Sequence, residues 1–87
     1  MSKTMVRWQE IQTVSNEALA SPGIEDIIDT QLRHGAKLRS GFVGEFSSLA
    51  RHEYPLRDLS GEIVRKANGE PIMLTDVIAN YEIEVEL

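Results

Sequence analysis

The chain of 87 residues contains no cysteine. That excludes a disulfide framework, a thiolate metal site and a cysteine nucleophile together. Histidine is nearly as scarce. The two present, His34 and His52, lack the HxxxH spacing that places two imidazoles on one helix face, so no metal site is expected. His34 reads as a cation at a helix C-terminus, and His52 as a helix surface residue. Apolar runs never exceed three residues, too short to cross a bilayer, so no membrane partner is expected. The opening stretch MSKTMVRWQEIQ is too polar for a secretory leader. With cysteine absent as well, a reducing cytoplasm is the expected compartment.

Catalytic patterns are also missing. Ser47-Ser48 stands in no nucleophile elbow. His52 and Glu53 are neighbours, which a helix would point about 100° apart, so they form no ready dyad. No GxxxxGK[ST] loop occurs. The expectation is a protein that is not an enzyme and needs no cofactor. No internal repeat or linker interrupts the chain.

What is present describes one small folded domain spanning 1–87. Apolar residues make up 41% and charged residues 26%, a balance that belongs to a globular chain and not to a disordered tail. At this length only about 60–65% of the unfolded surface becomes buried, so the core should be thin. Charge is unevenly placed. Residues 1–32 carry net −3, residues 33–66 net +3 and residues 67–87 net −5, a basic middle between two acidic ends.

Met5, Trp8, Ile11, Val14 and Ala18 recur at steps of three and four, which predicts a helix over 4–20. Trp8 would be its anchor. A second helix is predicted over 22–34. Ser21 and Pro22 open it, Glu25, Asp26 and Asp29 suit its positive end, and Ile24, Ile27, Ile28 and Leu32 share one face. Gly35 would be its left-handed cap. A third helix is predicted over 41–53, with Phe42, Phe46, Leu49 and Ala50 on one face, ending before Pro55. Asn68-Gly69 marks a hairpin whose arms are 62–67 and 70–74. Thr75-Asp76 would cap a single helical turn over 76–80. Tyr81, Ile83, Val85 and Leu87 then alternate with Glu82, Glu84 and Glu86, a strict strand period. The expected fold is therefore α+β: two to three N-terminal helices packed on a small antiparallel sheet, made of the hairpin 61–74 and the C-terminal strand 81–87. The core should draw on Trp8, Ile11, Ile24, Ile27, Ile28, Leu32, Phe42, Phe46, Leu49, Ile63, Val64, Ile72, Leu74, Ile83 and Val85.

Two surfaces offer candidate contacts. Glu82, Glu84 and Glu86 would line one face of the last strand, meeting Arg65 and Lys66 of the hairpin or a basic partner. Arg33, Lys37 and Arg39 fall in a basic stretch, 33–41, read as a loop between helices that could hold an anion. Helices followed by a hairpin resemble the winged-helix arrangement. Ser47, Ser48, Arg51 and His52 would then face nucleic acid, with Arg65 and Lys66 at the wing. Net charge is −5, however, whereas phosphate neutralisation needs several cations on one face. Nucleic acid is possible and not favoured. The leading expectation is a small cytoplasmic regulatory, inhibitory or accessory protein of the antitoxin-like or phage-antagonist class. It would act on another protein and self-associate as a dimer. A winged-helix-like nucleic-acid-binding regulator is the alternative, and a binder of small anions, or an enzyme, using 33–41 comes third.

Overall fold

The computed structural model describes residues 2–41 and 46–86. The elements run β1 (Lys3–Ser15), α1 (Asn16–Leu19), α2 (Ile24–Ser40), β2 (Ser48–Pro55) and β3 (Met73–Glu86). The strands form one antiparallel sheet in the order β1-β3-β2. One long helix, α2, covers one face of it.

The expected layer of two to three helices is not what forms. Residues 3–15 are a strand, paired without interruption to β3 from Lys3 opposite Glu86 to Ser15 opposite Leu74. β-branched Thr4, Val6, Ile11, Thr13 and Val14 favour the extended chain. On β1 the side chains turned toward α2 are Thr4, Val6, Trp8, Glu10, Gln12 and Val14. Glu10 and Gln12 stand where apolar residues would have shown the period of two. Glu10 is nonetheless only 5% exposed. A buried carboxylate thus hid the strand and left the helical spacing of Met5, Trp8, Ile11 and Val14 as the louder signal.

The helix expected over 22–34 exists but runs from Ile24 to Ser40. Gly35 does not cap it. The left-handed residue at its end is Gly41, at φ 74, whose N–H donates to the Lys37 carbonyl at 2.8 Å. The helix continues past Gly35 because that glycine faces the sheet. A Cβ there would lie 3.0 Å from the Glu10 carboxylate. The third helix is replaced by β2, where Leu49, Arg51 and Glu53 face α2 and Ser48, Ala50, His52 and Tyr54 face away. Phe42 lies outside the described residues. No helical turn forms at 76–80 either. β3 runs through it, with Thr75, Val77, Ala79 and Tyr81 at 0, 2, 0 and 1% exposure. The final strand was correctly expected, yet it is the end of a longer strand that is central where β2 flanks it.

The core lies between α2 and β3. Ile28, Leu32 and Ala36 meet Val77, Ala79 and Tyr81, with Trp8, Val14, Leu19, Ile24 and Phe46 packed around them. Trp8 stacks on Tyr81 at 5.0 Å, and Phe46 meets the same ring edge-on at 6.0 Å. Ile11, Ile27 and Leu49, expected inside, are 54, 53 and 47% exposed. Ile11 points to the outer face of a strand, Ile27 lies on the solvent side of α2, and Leu49 faces α2 from an edge strand that the helix leaves half open.

Residues 56–72 make a braced excursion between β2 and β3. The Leu56 N–H donates to Ile72, Val64 to Leu56, and Ile72 to Val64, so three segments eight residues apart close a ring of backbone bonds. Two matching turns connect them. Gly61 at φ 88 donates to the Asp58 carbonyl, and Gly69 at φ 88 to the Lys66 carbonyl. Arg57 and Arg65 each donate to the carbonyl of the glycine four residues on, at 2.8 and 3.0 Å. The Arg-x-x-x-Gly-Glu pattern at 57–62 and 65–70 is thus a short structural repeat that the sequence reading missed. Asn68-Gly69 does mark a turn, but the hairpin 61–74 does not build the sheet: its arms share only the isolated bridge Arg65–Pro71, 73–74 belong to β3, and at the turn only the glycine takes positive φ. The geometry fits a type I turn closed by a left-handed glycine.

The molecule is long and thin. Its extents are 61 × 31 × 19 Å and its radius of gyration is 16.7 Å, against about 12 Å for a compact chain of this length.

Candidate functional surface

The face of the sheet turned away from α2 carries no covering layer of secondary structure among the described residues. Register and alternation fix its composition. β1 contributes Arg7, Gln9, Ile11 and Thr13, β3 contributes Glu82, Asn80, Ile78 and Asp76, and β2 contributes Ser48, Ala50, His52 and Tyr54. These side chains form rows across the strands. Gln9 donates to Asn80 Oδ1 at 2.9 Å, and Asn80 Nδ2 donates to Ser48 Oγ at 3.1 Å. The next row is apolar, Ile11, Ile78 and Ala50. The row beyond is again polar. Thr13 and Tyr54 both donate to Asp76 Oδ1, at 2.7 and 2.8 Å, and the His52 ring stacks on Tyr54 at 5.6 Å. An apolar stripe therefore lies between two polar rows held in place by hydrogen bonds.

The electrostatics of that last row are simple. The bonds from Thr13 and then Tyr54, with the nearby His52, hold the Asp76 carboxyl below its ordinary range. The same carboxylate pushes the Tyr54 hydroxyl above its ordinary range. At neutral pH the row holds an anion and a phenol that keeps its proton. The hydrogen bond between them holds the Asp76–Tyr54 pair in that state. Nothing in the sequence flagged Asp76, Tyr54 and Thr13 as a group. They lie on three strands and meet because Thr13 is directly opposite Asp76 and Tyr54 lies diagonally across from it, beyond His52.

Glu82, Glu84 and Glu86 lie on this same face, at its far end. They do not meet Arg65 and Lys66. Glu82 pairs with Arg7 at 3.4 Å and Glu84 with Lys3 at 3.9 Å, while Glu86 lies opposite Lys3. The partners are on β1, a segment whose apolar spacing predicts a helix. Such exposed pairs contribute roughly 0–1 kcal/mol each, so they neutralise the ribbon more than they hold it.

The expected basic loop is the second half of α2. Arg33 donates to Asp29 at 3.0 Å and its guanidinium lies 4.8 Å over the Phe46 ring. Lys37 is exposed in the last turns. Arg39 clamps Glu10, with Nε at 2.7 Å and Nη2 at 3.1 Å, and Trp8 Nε1 donates to the same carboxylate at 3.1 Å. Arg51 is on β2 and pairs with Glu25 of α2. Arg65 braces its turn, and Lys66 lines a shallow cavity of about 290 Å³ beside Asn16 and Pro71. These six cations are spread over three parts of the fold. The winged-helix arrangement lacks its reading helix, because 48–55 is a strand.

Among the described residues no three His, Asp or Glu side chains converge as a metal site. Among the same residues no helix is long and apolar enough to cross a membrane. Comparison with known proteins finds no match: no protein-family model, no curated protein and no solved structure corresponds to this chain.

Proposed function

We propose that this chain is a small non-enzymatic binding protein that acts on another protein, as an inhibitor, regulator or accessory subunit, in the cytoplasm and as a homo-oligomer. The observation that carries this reading is the uncovered sheet face. Antiparallel sheets commonly leave one face to water, and that face is then polar. Here an apolar stripe of Ile11, Ile78 and Ala50 crosses it. Its flanking side chains are already fixed by cross-strand bonds, so docking a partner would cost little further side-chain ordering. The surface balance agrees. The accessible surface is 6220 Å², against about 5,200 Å² for a compact monomer of this mass. The excess of roughly 1,000 Å² is on the scale of one partner's share of a standard interface, about 800 Å².

The test uses the tagged chain captured with its partner from host cells after cross-linking. Ala50→Glu puts a charge into the stripe at an exposed position on β2, where the fold loses nothing. The partner should be lost while circular dichroism is unchanged. A captured partner that withstands both Ala50→Glu and His52→Glu would show that the face is not the binding surface.

A further inference from the structure

The strand β1 forms one edge of the sheet over its whole length of 13 residues. Which backbone groups it offers can be worked out. Pro55 lies opposite Met73 and has no N–H, so that pair cannot exchange bonds, and the pairs on either side must. The Leu56 N–H indeed donates to the Ile72 carbonyl at 2.8 Å. Even-numbered residues of β3 therefore point their backbone groups toward β2, and odd-numbered ones toward β1. Through the register, Trp8, Glu10 and the other even residues of β1 bond to β3. Met5, Arg7, Gln9, Ile11 and Thr13 turn their N–H and C=O groups outward, to an edge that no described strand occupies.

Natural edges are guarded by proline, by bulges, or by inward-pointing charges. β1 has none of these in working form. It contains no proline, its register is unbroken, and its inward charge, Glu10, is neutralised by Arg39. Lys3 and Arg7 are balanced by Glu84 and Glu82. Met5, Val6 and Ile11 are 49, 40 and 54% exposed, three of the exposed large apolar side chains on one strand.

We propose that β1 pairs antiparallel with β1 of a second copy about a twofold axis at Trp8, joining two sheets into one of six strands. This rests on the reading of the chain as a self-associating binding protein. The axis places Met5 of each copy opposite Ile11 of the other, both pairs on the outer face and both among the outward-bonding residues. Arg7 falls opposite Gln9, Lys3 opposite Thr13 and Glu10 opposite Val6, so no like charges are opposed. An axis one residue earlier would set Arg7 against itself, and one at Glu10 would oppose the two carboxylates. Isologous pairing of this kind is closed and stops at two. It would double the outer face into one continuous surface.

Sedimentation velocity on the full chain gives the mass, and amide hydrogen exchange gives the edge. The expected result is a dimer in which the Arg7 and Gln9 amides are protected at high protein concentration and exchange rapidly on dilution. Those of Trp8 and Glu10 should stay protected throughout. Ile11→Lys and Met5→Lys, both at exposed positions, should each weaken the dimer on the order of tenfold or more while leaving the monomer folded. A chain that stays monomeric at the concentration of an NMR sample overturns the proposal. So does a dimer whose Arg7 and Gln9 amides remain unprotected, or one that survives both lysines. Partner capture through the outer face is scored separately by Ala50→Glu, so either idea can fail alone.

Discussion

Replacing Gly35 by alanine should destabilise this protein, against the ordinary rule for helices. Gly35 lies inside α2, where alanine normally gains about 0.5–1 kcal/mol over glycine. Here the added Cβ would come within 3.0 Å of Glu10 Oε2. That oxygen cannot step aside freely. It accepts from Arg39 Nη2 at 3.1 Å, while its twin accepts from Arg39 Nε at 2.7 Å and from Trp8 Nε1 at 3.1 Å. Forcing a methyl group into a packed site costs about 1–3 kcal/mol, so Gly35→Ala should lose roughly 0.5–2 kcal/mol net. For a domain of this length, whose whole stability is on the order of 4–13 kcal/mol, that is a large share. The sign should reverse once Glu10 is shortened. In a Glu10→Ala background, Gly35→Ala should stabilise by about 0.5–1 kcal/mol. The two positions are thus coupled by about 1–3 kcal/mol in a double-mutant cycle. Urea unfolding followed by far-ultraviolet circular dichroism measures all four chains. Trp8 fluorescence is the poorer probe, because Trp8 itself touches Glu10. Equal stabilisation by Gly35→Ala in both backgrounds would refute the claim that the clamped carboxylate dictates glycine at this position.

Two further outcomes follow from the same geometry. Asp76 has its folded-state pKa depressed, so the stability it contributes is present above its unfolded value and is lost as pH falls through the folded one. Thr13→Ala or Tyr54→Phe should raise the Asp76 carboxyl pKa, read by carbon NMR titration, and move acid unfolding toward higher pH. Leu32, at 3% exposure, lies where the thin core has few neighbours able to collapse into a void. Leu32→Ala should cost about 2–5 kcal/mol and leave the domain marginal at 37 °C, measured by thermal unfolding.

The signals that could be read without the structure were those carried by neighbours in the chain. α2 announced itself through its acidic first turn and the apolar series Ile24, Ile28 and Leu32, since both act within one helix. The alternation from Tyr81 onward identified the last strand, because a period of two needs no knowledge of what lies opposite. Asn68-Gly69 marked a turn for the same local reason. What only the tertiary structure decided was how far each element extends and what it faces. β1 is a strand because it pairs with β3 without interruption from Lys3 to Ser15, and Arg39, 29 positions away, lets Glu10 occupy a buried place on it. α2 ran through Gly35 because the helix must pass closely over that same carboxylate. Residues 76–80 stayed extended because Asp76, which could have capped a helical turn, is bonded from both sides by Thr13 and Tyr54. The outer face, with its apolar stripe between fixed polar rows, and the unguarded edge of β1 are products of register. Local sequence chose the secondary-structure propensities. Contacts between distant residues outweighed several of them, because a long shared ladder and the burial of one face exceed propensity differences of at most about 0.7 kcal/mol per residue, and Arg39 keeps the Glu10 carboxylate on that face from being left unpaired.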